Sequence, residues 1–272
     1  MMSTTSTVFT DGAELTYDIE GTGPLLLLVA GGNGESMRFA PLSAHLANRY
    51  TVIKYDRRAN GRSGGDKTAE MSMAQAGRDA AAIIEAAGRG KAFVFGNSAG
   101  ANIALQLTQA HPQLVRGAVI HEPPVSDFLP EPDASKWRAF FDNVYAVFLA
   151  EGAGPAMRLF ATTMVGFERN VLAAPGDQAG GDHERFLAHE FRHINSFLPD
   201  LTALRNGAVP LAMAVGRAST GAFYAQTAHE LAKQLPCPCA QVVGNHLGYA
   251  FEAEQFANDL DLILKGFPRA SE

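Results

Sequence analysis

The sequence has few of the residues that build disulfides, metal clusters and membrane anchors. Its 272 residues include only two cysteines and one tryptophan. Cys237 and Cys239 stand one residue apart, which is poor geometry for a disulfide and leaves too few thiols for a structural zinc site. We expect both to be reduced thiols of a cytoplasmic protein. The longest purely apolar run, residues 25–30, is far too short to span a membrane. Residues 1–12 lack the basic and apolar segments of a secretory signal.

Neither sign of charge dominates the chain. The formal net charge is -6, with 18% charged and 47% hydrophobic residues. This composition is globular and supplies enough apolar material for a sizeable core. A mildly acidic surface argues against nucleic acid or an anionic membrane as the main partner. We therefore expect a small-molecule substrate, and the sequence leaves a homodimer open.

Apolar runs alternate with helical patterns along most of the chain. This alternation is typical of an α/β fold, with a parallel sheet covered by helices on both faces. It stops between residues 123 and 207, where aromatic-rich helical segments (137–149 and 156–167) and a Gly/Asp-rich joint (175–182) stand instead. We predict a core of residues 1–122 and 208–272, with a mostly parallel eight-stranded sheet. A helical cap, residues 123–207, would be inserted after the sixth strand, over the sheet edge where ligands bind.

The candidate nucleophile is a serine between two glycines, directly after an apolar strand. Residues 93–100 read FVFGNSAG, a strand that runs into G-x-S-x-G and then a helix. This context is that of a nucleophile elbow, in which Ser98 adopts a strained backbone conformation and projects its hydroxyl above the sheet. The Ala99 amide would lie at the helix N-terminus, where a developing oxyanion is stabilised. The alternative is a structural turn with a helix-capping serine.

A glycine cluster follows the third strand, where residues 27–34 read LLVAGGNG. Glycine permits the positive φ angles that turn a backbone amide toward a pocket. We assign Gly32 as the second oxyanion donor, with Asn33 as the alternative donor and as a candidate substrate contact. A phosphate-binding loop is disfavoured, because no lysine follows and the spacing does not match the known phosphate-binding motifs.

The candidate base and acid lie at the ends of later strands. Of the eight histidines, His246 follows the last predicted strand and stands after the serine in the order that this fold uses. The usual position of the acid, the loop of residues 216–221, contains no carboxylate. Glu122 ends the neighbouring strand, and we predict that it replaces the missing acid. The alternative for both residues is that His246 and Glu122 have no catalytic role and lie in solvated loops.

The assembled motifs resemble the α/β-hydrolase superfamily across nearly the whole chain. More specifically, the chain resembles the zearalenone-lactone hydrolases. The similar stretches are residues 20–24 (EGTGP), 32–35 (GNGE), 96–101 (GNSAGA), 121–123 (HEP) and 215–219 (VGRAS). The resemblance implies Glu122 as the triad acid, and Gly32 and Ala99 as the oxyanion donors.

One further motif points to a different chemistry. Residues 189–193 read HEFRH and match H-E-x-x-H, which places two histidines on one helical face as in zinc proteases. The motif lies in the predicted cap and no third ligand stands out. We therefore expect a polar helix face with charge pairs, and no metal.

Together these features predict a cofactor-free serine hydrolase of a bulky apolar ester or lactone. Trp137 and Phe141 are the predicted substrate contacts, from a set of cap aromatics that also includes Phe140, Phe148, Phe160 and Phe167. The alternative for these aromatics is that they pack the cap onto the core. Two other functions remain open: C–C bond hydrolysis or a lyase reaction on the same triad, and ligand binding without catalysis.

Overall fold

The eight strands form one mostly parallel sheet. The computed structural model describes residues 3–166 and 182–268. The strands are β1 (Thr4–Thr10), β2 (Ala13–Gly21), β3 (Leu25–Val29), β4 (Thr51–Tyr55), β5 (Ala92–Asn97), β6 (Val115–His121), β7 (Leu211–Gly216) and β8 (Cys239–Val242). Their order in the sheet is β1-β2-β4-β3-β5-β6-β7-β8, and only the pairs that involve β2 are antiparallel. The predicted fold class is confirmed.

The central strands are apolar because both faces of the sheet are covered. Every residue of β3, with the sequence LLLLV, is buried. Leu25 and Leu27 belong to the core on one face, whereas Leu26 and Leu28 belong to the core on the other. A continuous apolar run is the expected pattern for such a strand.

The helices lie on both faces of the sheet and in one long insert. In chain order they are α1 (Ala40–Leu46), α2 (Met73–Ala86), α3 (Ala99–Ala110), α4 (Asp133–Glu151), α5 (Ala153–Ala161), α6 (His183–Arg185), α7 (Phe191–Asn195), α8 (Leu201–Asn206), α9 (Phe223–Gln234), α10 (Gly248–Phe251) and α11 (Ala253–Gly266). Apolar residues of α2, α3 and α9 join the core on one face, and those of α1 and α11 join the core on the other. No helix in the described ranges is long and apolar enough to cross a membrane.

Helices α4 to α8 form the insert between β6 and β7, as predicted. The predicted second helix, 156–167, is shorter than expected and ends at Ala161. The hydroxyls of Thr162 and Thr163 donate to the carbonyls of Leu159 and Phe160, which favours the end of the helix. Phe167 and all but the last residue of the predicted 175–182 joint lie outside the described residues. The predicted limits of core and cap, at residues 122 and 207, stay a prediction.

Candidate active site

Ser98 lies in a sharp turn between β5 and α3. Its backbone φ is +55° and its ψ is -125°, a conformation that is strained for a residue with a side chain. The flanking glycines make this turn sterically feasible. A Cβ atom on Gly96 would lie 2.2 Å from the Gly100 carbonyl oxygen, and one on Gly100 would lie 2.0 Å from the Val29 carbonyl oxygen. The predicted strand–turn–helix geometry is therefore present, and α3 starts at Ala99.

The glycine loop after β3 lies directly against this turn. A Cβ atom on Gly31 would come within 2.6 Å of the Asn97 carbonyl oxygen and 2.8 Å of the Ser98 Cβ atom. Gly32 has a φ of +51°, in the left-handed region that glycine adopts at little cost. Gly32, Ser98 and Ala99 all line one cavity. Since Ala99 is the first residue of α3, its amide has no acceptor within the helix.

The structure brings Glu122 and His246 together in the interior. Glu122 is fully buried, and its Oε2 atom lies 2.6 Å from His246 Nδ1. The Gly216 amide donates to the other carboxylate oxygen, Oε1, at 2.8 Å. Burial alone would raise the pKa of the Glu122 carboxyl. The neighbouring His121 and the hydrogen bonds from His246 and Gly216 outweigh burial and lower this pKa. The ionised carboxylate can only accept, so His246 carries its proton on Nδ1 and leaves Nε2 free to take a proton.

Two residues that sequence reasoning missed support this pair. Asn97 Nδ2 donates to His121 Nδ1 at 2.9 Å and to the His246 carbonyl oxygen at 3.2 Å. Burial lowers the pKa of His121 to about 4, so this imidazole is neutral at pH 7. Asn97 and His121 are the direct sequence neighbours of Ser98 and Glu122. Only the folded arrangement shows that they connect the ends of β5 and β6 with the loop that carries His246.

The cavity beside Ser98 holds about 120 Å³ of free space. Ser98 and His246 both line it, although no hydrogen bond joins their side chains in the described part of the chain. Such bonds often tighten only when substrate binds. Apolar side chains from the insert and from the segments that follow β6, β7 and β8 form most of the remaining wall, with Arg38, Asn97, Thr163 and Asn195 as polar members. The apolar lining residues are Pro124, Phe160, Met164, Phe186, Ile194, Phe223, Tyr224, Leu247 and Tyr249.

The three predicted substrate contacts do not line this cavity. Asn33 is buried, and neither polar atom of its side chain has a hydrogen-bond partner among the described residues. The rings of Trp137 and Phe141 lie 4.4 Å and 5.4 Å from the ring of Phe223, which does line the cavity. These two rings lie one helical turn apart on α4 and pack the insert against α9. A role for these residues in substrate contact stays a prediction that the geometry does not support.

Both histidines and the glutamate of H-E-x-x-H have polar side-chain partners. His189 Nδ1 lies 3.1 Å and His193 Nε2 lies 2.7 Å from the two oxygens of Glu70. Glu190 points the other way, into the protein, and pairs with Arg57. Among residues 3–166 and 182–268, no three histidine, cysteine or acidic side chains form a group that could hold a metal ion. The motif thus connects the insert to the core through the histidine contacts with Glu70 and the Glu190–Arg57 ion pair.

Comparisons with known proteins agree with the fold. The family model described as alpha/beta hydrolase fold matches residues 24–188. The chain belongs to the α/β hydrolase family. The uncharacterized hydrolase YraK of Bacillus subtilis (strain 168) is 30% identical over 259 residues, which cover 93% of each chain.

Solved structures of other α/β hydrolases superpose over nearly the whole chain. An alpha/beta hydrolase from Sphaerobacter thermophilus DSM 20745 is 30% identical, with a TM-score of 0.68 and coverage of 92% of this chain and 99% of that one. The enol-lactonase from Burkholderia xenovorans LB400 is 16% identical, with a TM-score of 0.75 and coverage of 96% and 100%. The second likeness concerns the fold alone.

Proposed function

We propose that this α/β hydrolase is a serine hydrolase of carboxylic esters or lactones, with Ser98, His246 and Glu122 as its catalytic triad. The observation that carries the proposal is that one cavity is lined by Ser98, by the histidine paired with Glu122, and by Gly32 and Ala99. A nucleophile, a base oriented by a third group, and two amides beside them are the parts that acyl transfer needs.

In the first half of the reaction, Ser98 Oγ attacks the carbonyl carbon and His246 Nε2 takes the serine proton. The carbonyl oxygen becomes an oxyanion, which accepts hydrogen bonds from the Gly32 and Ala99 amides. The positive end of α3 adds to this stabilisation. His246 then gives its proton to the departing alkoxide oxygen as the ester bond breaks. The acyl group stays on Ser98. An ester releases its alcohol at this step, whereas the new hydroxyl of a lactone remains attached to the acyl chain.

In the second half, water attacks the acyl-enzyme. His246 accepts a proton from the water, and the same two amides hold the second oxyanion. When the intermediate collapses, the proton returns to Ser98 Oγ and the carboxylic acid is released. Glu122 keeps its charge throughout, holds the required tautomer and stabilises the imidazolium that forms in both halves.

The cavity wall supports an apolar acyl group as the part of the substrate that packs next to Ser98. Phe160, Phe186 and Phe223 lie on this wall. The free space of about 120 Å³ is below the roughly 300–1,000 Å³ of most ligand pockets. A compact ester or a small lactone suits that volume better than a macrocyclic lactone does. The observed cavity therefore favours the compact substrate over the bulky one that the sequence predicts.

Trapping the acyl-enzyme tests the proposal. The protein is mixed with p-nitrophenyl butyrate, the reaction is quenched in acid, and the mass of the intact protein is measured by mass spectrometry. We expect one butyryl adduct per chain in the wild type and in the Ser135→Ala control, a change at an exposed serine of the insert. Ser98→Ala should lose both adduct and turnover. A wild type that neither turns over ester nor forms the adduct would mean that the cavity only binds ligands.

A further inference from the structure

The Arg57 side chain binds backbone carbonyls of the glycine loop that follows β3. Its Nη1 atom lies 3.0 Å from the Ala30 carbonyl oxygen and 3.5 Å from that of Gly31, and its Nη2 atom lies 2.7 Å from that of Gly32. One guanidinium therefore donates to three consecutive carbonyls. The Gly31 carbonyl also accepts from the Gly34 amide at 2.9 Å, and the Gly34 carbonyl accepts from the Arg57 amide at 3.0 Å.

These contacts determine where the Gly32 amide points. The Gly31 carbonyl and the Gly32 N–H belong to the same planar peptide unit, and in a trans unit they point in opposite directions. The structure records a cis bond only at Glu131-Pro132 among the described residues, so this unit is trans. Because the Gly31 carbonyl faces Arg57 and the Gly34 amide, the Gly32 N–H faces away from them. Gly31 and Gly32 both line the cavity beside Ser98.

The charge that balances Arg57 comes from the insert. Arg57 and Glu190 are 3% and 2% exposed, and Arg57 Nη2 donates to Glu190 Oε2. The other carboxylate oxygen accepts from Asn60 Nδ2 at 2.7 Å and lies 3.5 Å from Arg185 Nη2. Glu190 ends a π-helical turn, Phe186–Glu190, between α6 and α7. Such turns are rare in proteins, and those that do occur often lie at functional sites.

We propose that Glu190 is a positioning residue for the oxyanion hole. It acts through Arg57, which holds the peptide unit that carries the Gly32 amide. Docking of the insert onto the core thereby completes the site, since the carboxylate belongs to the insert and the amide belongs to the core. This inference rests on the proposed function, because it assigns Gly32 as an oxyanion donor.

Arg57→Lys is the first test variant. Lysine keeps the buried charge and can reach Glu190, but a single ammonium cannot reproduce the planar fork that serves both the carboxylate and the loop carbonyls. Loss of a whole oxyanion donor lowers kcat by about 10²–10³-fold. A misdirected amide should cost part of that, so we expect kcat to fall by roughly tenfold or more with KM nearly unchanged.

Glu190→Gln is the second variant, and Glu190→Asp tests rescue. The amide keeps the shape of the side chain but leaves Arg57 without its counter-charge, so kcat should fall as in Arg57→Lys. Aspartate restores the charge with a shorter reach and should recover part of the activity. Glu70→Gln is the matched control, because it breaks the His189 and His193 pairs at the same contact between insert and core. Its kcat should equal that of the wild type.

A readout that a merely structural role would not change is affinity for a transition-state analogue. A trifluoromethyl ketone forms a tetrahedral adduct on Ser98 whose oxygen requires the oxyanion hole. Its inhibition constant should weaken in parallel with kcat in the Arg57 and Glu190 variants, while inhibition by the product butyrate stays unchanged. Thermal unfolding of each variant confirms that it is folded. If Glu190→Gln fails to fold, Arg57→Lys decides alone.

The possible outcomes separate the two proposals. Wild-type kcat and analogue affinity in Arg57→Lys, with activity lost in Ser98→Ala, would overturn the positioning role and leave the serine hydrolase intact. A rise in KM alone would also overturn it, since that result indicates weaker substrate binding. A wild type that neither hydrolyses ester nor binds the ketone would overturn both proposals.

Discussion

His246 Nδ1 lies 2.6 Å from Oε2 of Glu122, a carboxylate at the end of β6 instead of in the loop after β7. The last residue of β7 contributes a backbone donor, because the Gly216 amide binds the other oxygen of Glu122 at 2.8 Å. A Cβ atom on Gly216 would lie 2.6 Å from the Gly244 carbonyl oxygen, so the end of β7 packs closely against the loop after β8. Although residues 216–221 contain no carboxylate, His246 therefore still has a carboxylate partner in Glu122.

Glu122→Gln should lower kcat by at least about a hundredfold with little change in KM. The Gly216 amide needs an acceptor, so the glutamine oxygen should face Gly216 and its NH₂ group should face His246. Nδ1 must then accept a hydrogen bond, which places the proton on Nε2, where it blocks transfer from Ser98. Steady-state kinetics with p-nitrophenyl butyrate measures the effect, and Glu122→Asp should lose less.

The matched control for Glu122 is Asp127→Asn. Asp127 is the nearest carboxylate along the chain, and it pairs with Arg138 at 2.6 Å near the surface of the insert. Its replacement should change kcat less than twofold or so, as expected for an exposed ion pair. Near wild-type turnover in Glu122→Gln together with a large loss in Asp127→Asn would show that the acid is misassigned.

His121 should make the protein less stable in mild acid. Burial lowers the pKa of this imidazole to about 4, below its ordinary value of 6.5. Between these values the unfolded chain binds a proton at His121 that the folded chain does not, so stability falls as pH falls. Urea unfolding from pH 6.5 to 4.5 should show a shallower loss in His121→Gln, by up to about 1.4 kcal/mol per pH unit. Equal slopes in both proteins would refute this.

Chelators should leave ester hydrolysis unchanged. In a zinc protease the glutamate of H-E-x-x-H acts as the general base beside the metal. Here Glu190 is held by Arg57 on the side away from the two histidines, which both contact Glu70. Activity after dialysis against EDTA and 1,10-phenanthroline, with zinc measured by plasma mass spectrometry, tests this. About one zinc per chain, lost together with activity, would reverse the interpretation.

Substrate size provides a further test, because the sequence and the cavity point in different directions. The sequence predicts a bulky apolar substrate, whereas the cavity beside Ser98 has a volume of about 120 Å³. We expect a higher kcat/KM for phenyl butyrate and for a five-membered lactone than for a resorcylic macrocyclic lactone. The reverse order would show that the site accommodates the larger ring.

The fold could be predicted from the sequence because its central strands are buried on both faces and appear as continuous apolar runs. The apolar runs predict strands over residues 25–29 and 51–55, which are the limits of β3 and β4, since abrupt changes in composition bound each strand. The loss of alternation predicts the insert, but not the end of α5, because that end depends on side-chain contacts of two threonines. For the last strand the sequence predicts residues 241–243, whereas β8, Cys239–Val242, begins two residues earlier and is only partly buried, which weakens its apolar pattern.

Only part of the candidate site could be predicted from the sequence. Ser98, Gly32 and His246 stand in local patterns that tie residue type to backbone geometry, and the structure brings them to one cavity. The support from Arg57 and Glu190 joins residues 133 positions apart, and no local pattern links them. The aromatic spacing on α4 was visible, but spacing alone does not distinguish rings that face a cavity from rings that pack one helix against another.

The most direct test of the account is covalent labelling with a fluorophosphonate probe, followed by peptide mass spectrometry. Ser98 is the hydroxyl that we assign as nucleophile, in a strained turn beside an oxyanion site and a histidine base. We predict a single label on the peptide that contains Ser98, none in Ser98→Ala, and much slower labelling in Glu122→Gln. A label on another residue, or an unlabelled wild-type protein that still hydrolyses esters, would contradict it.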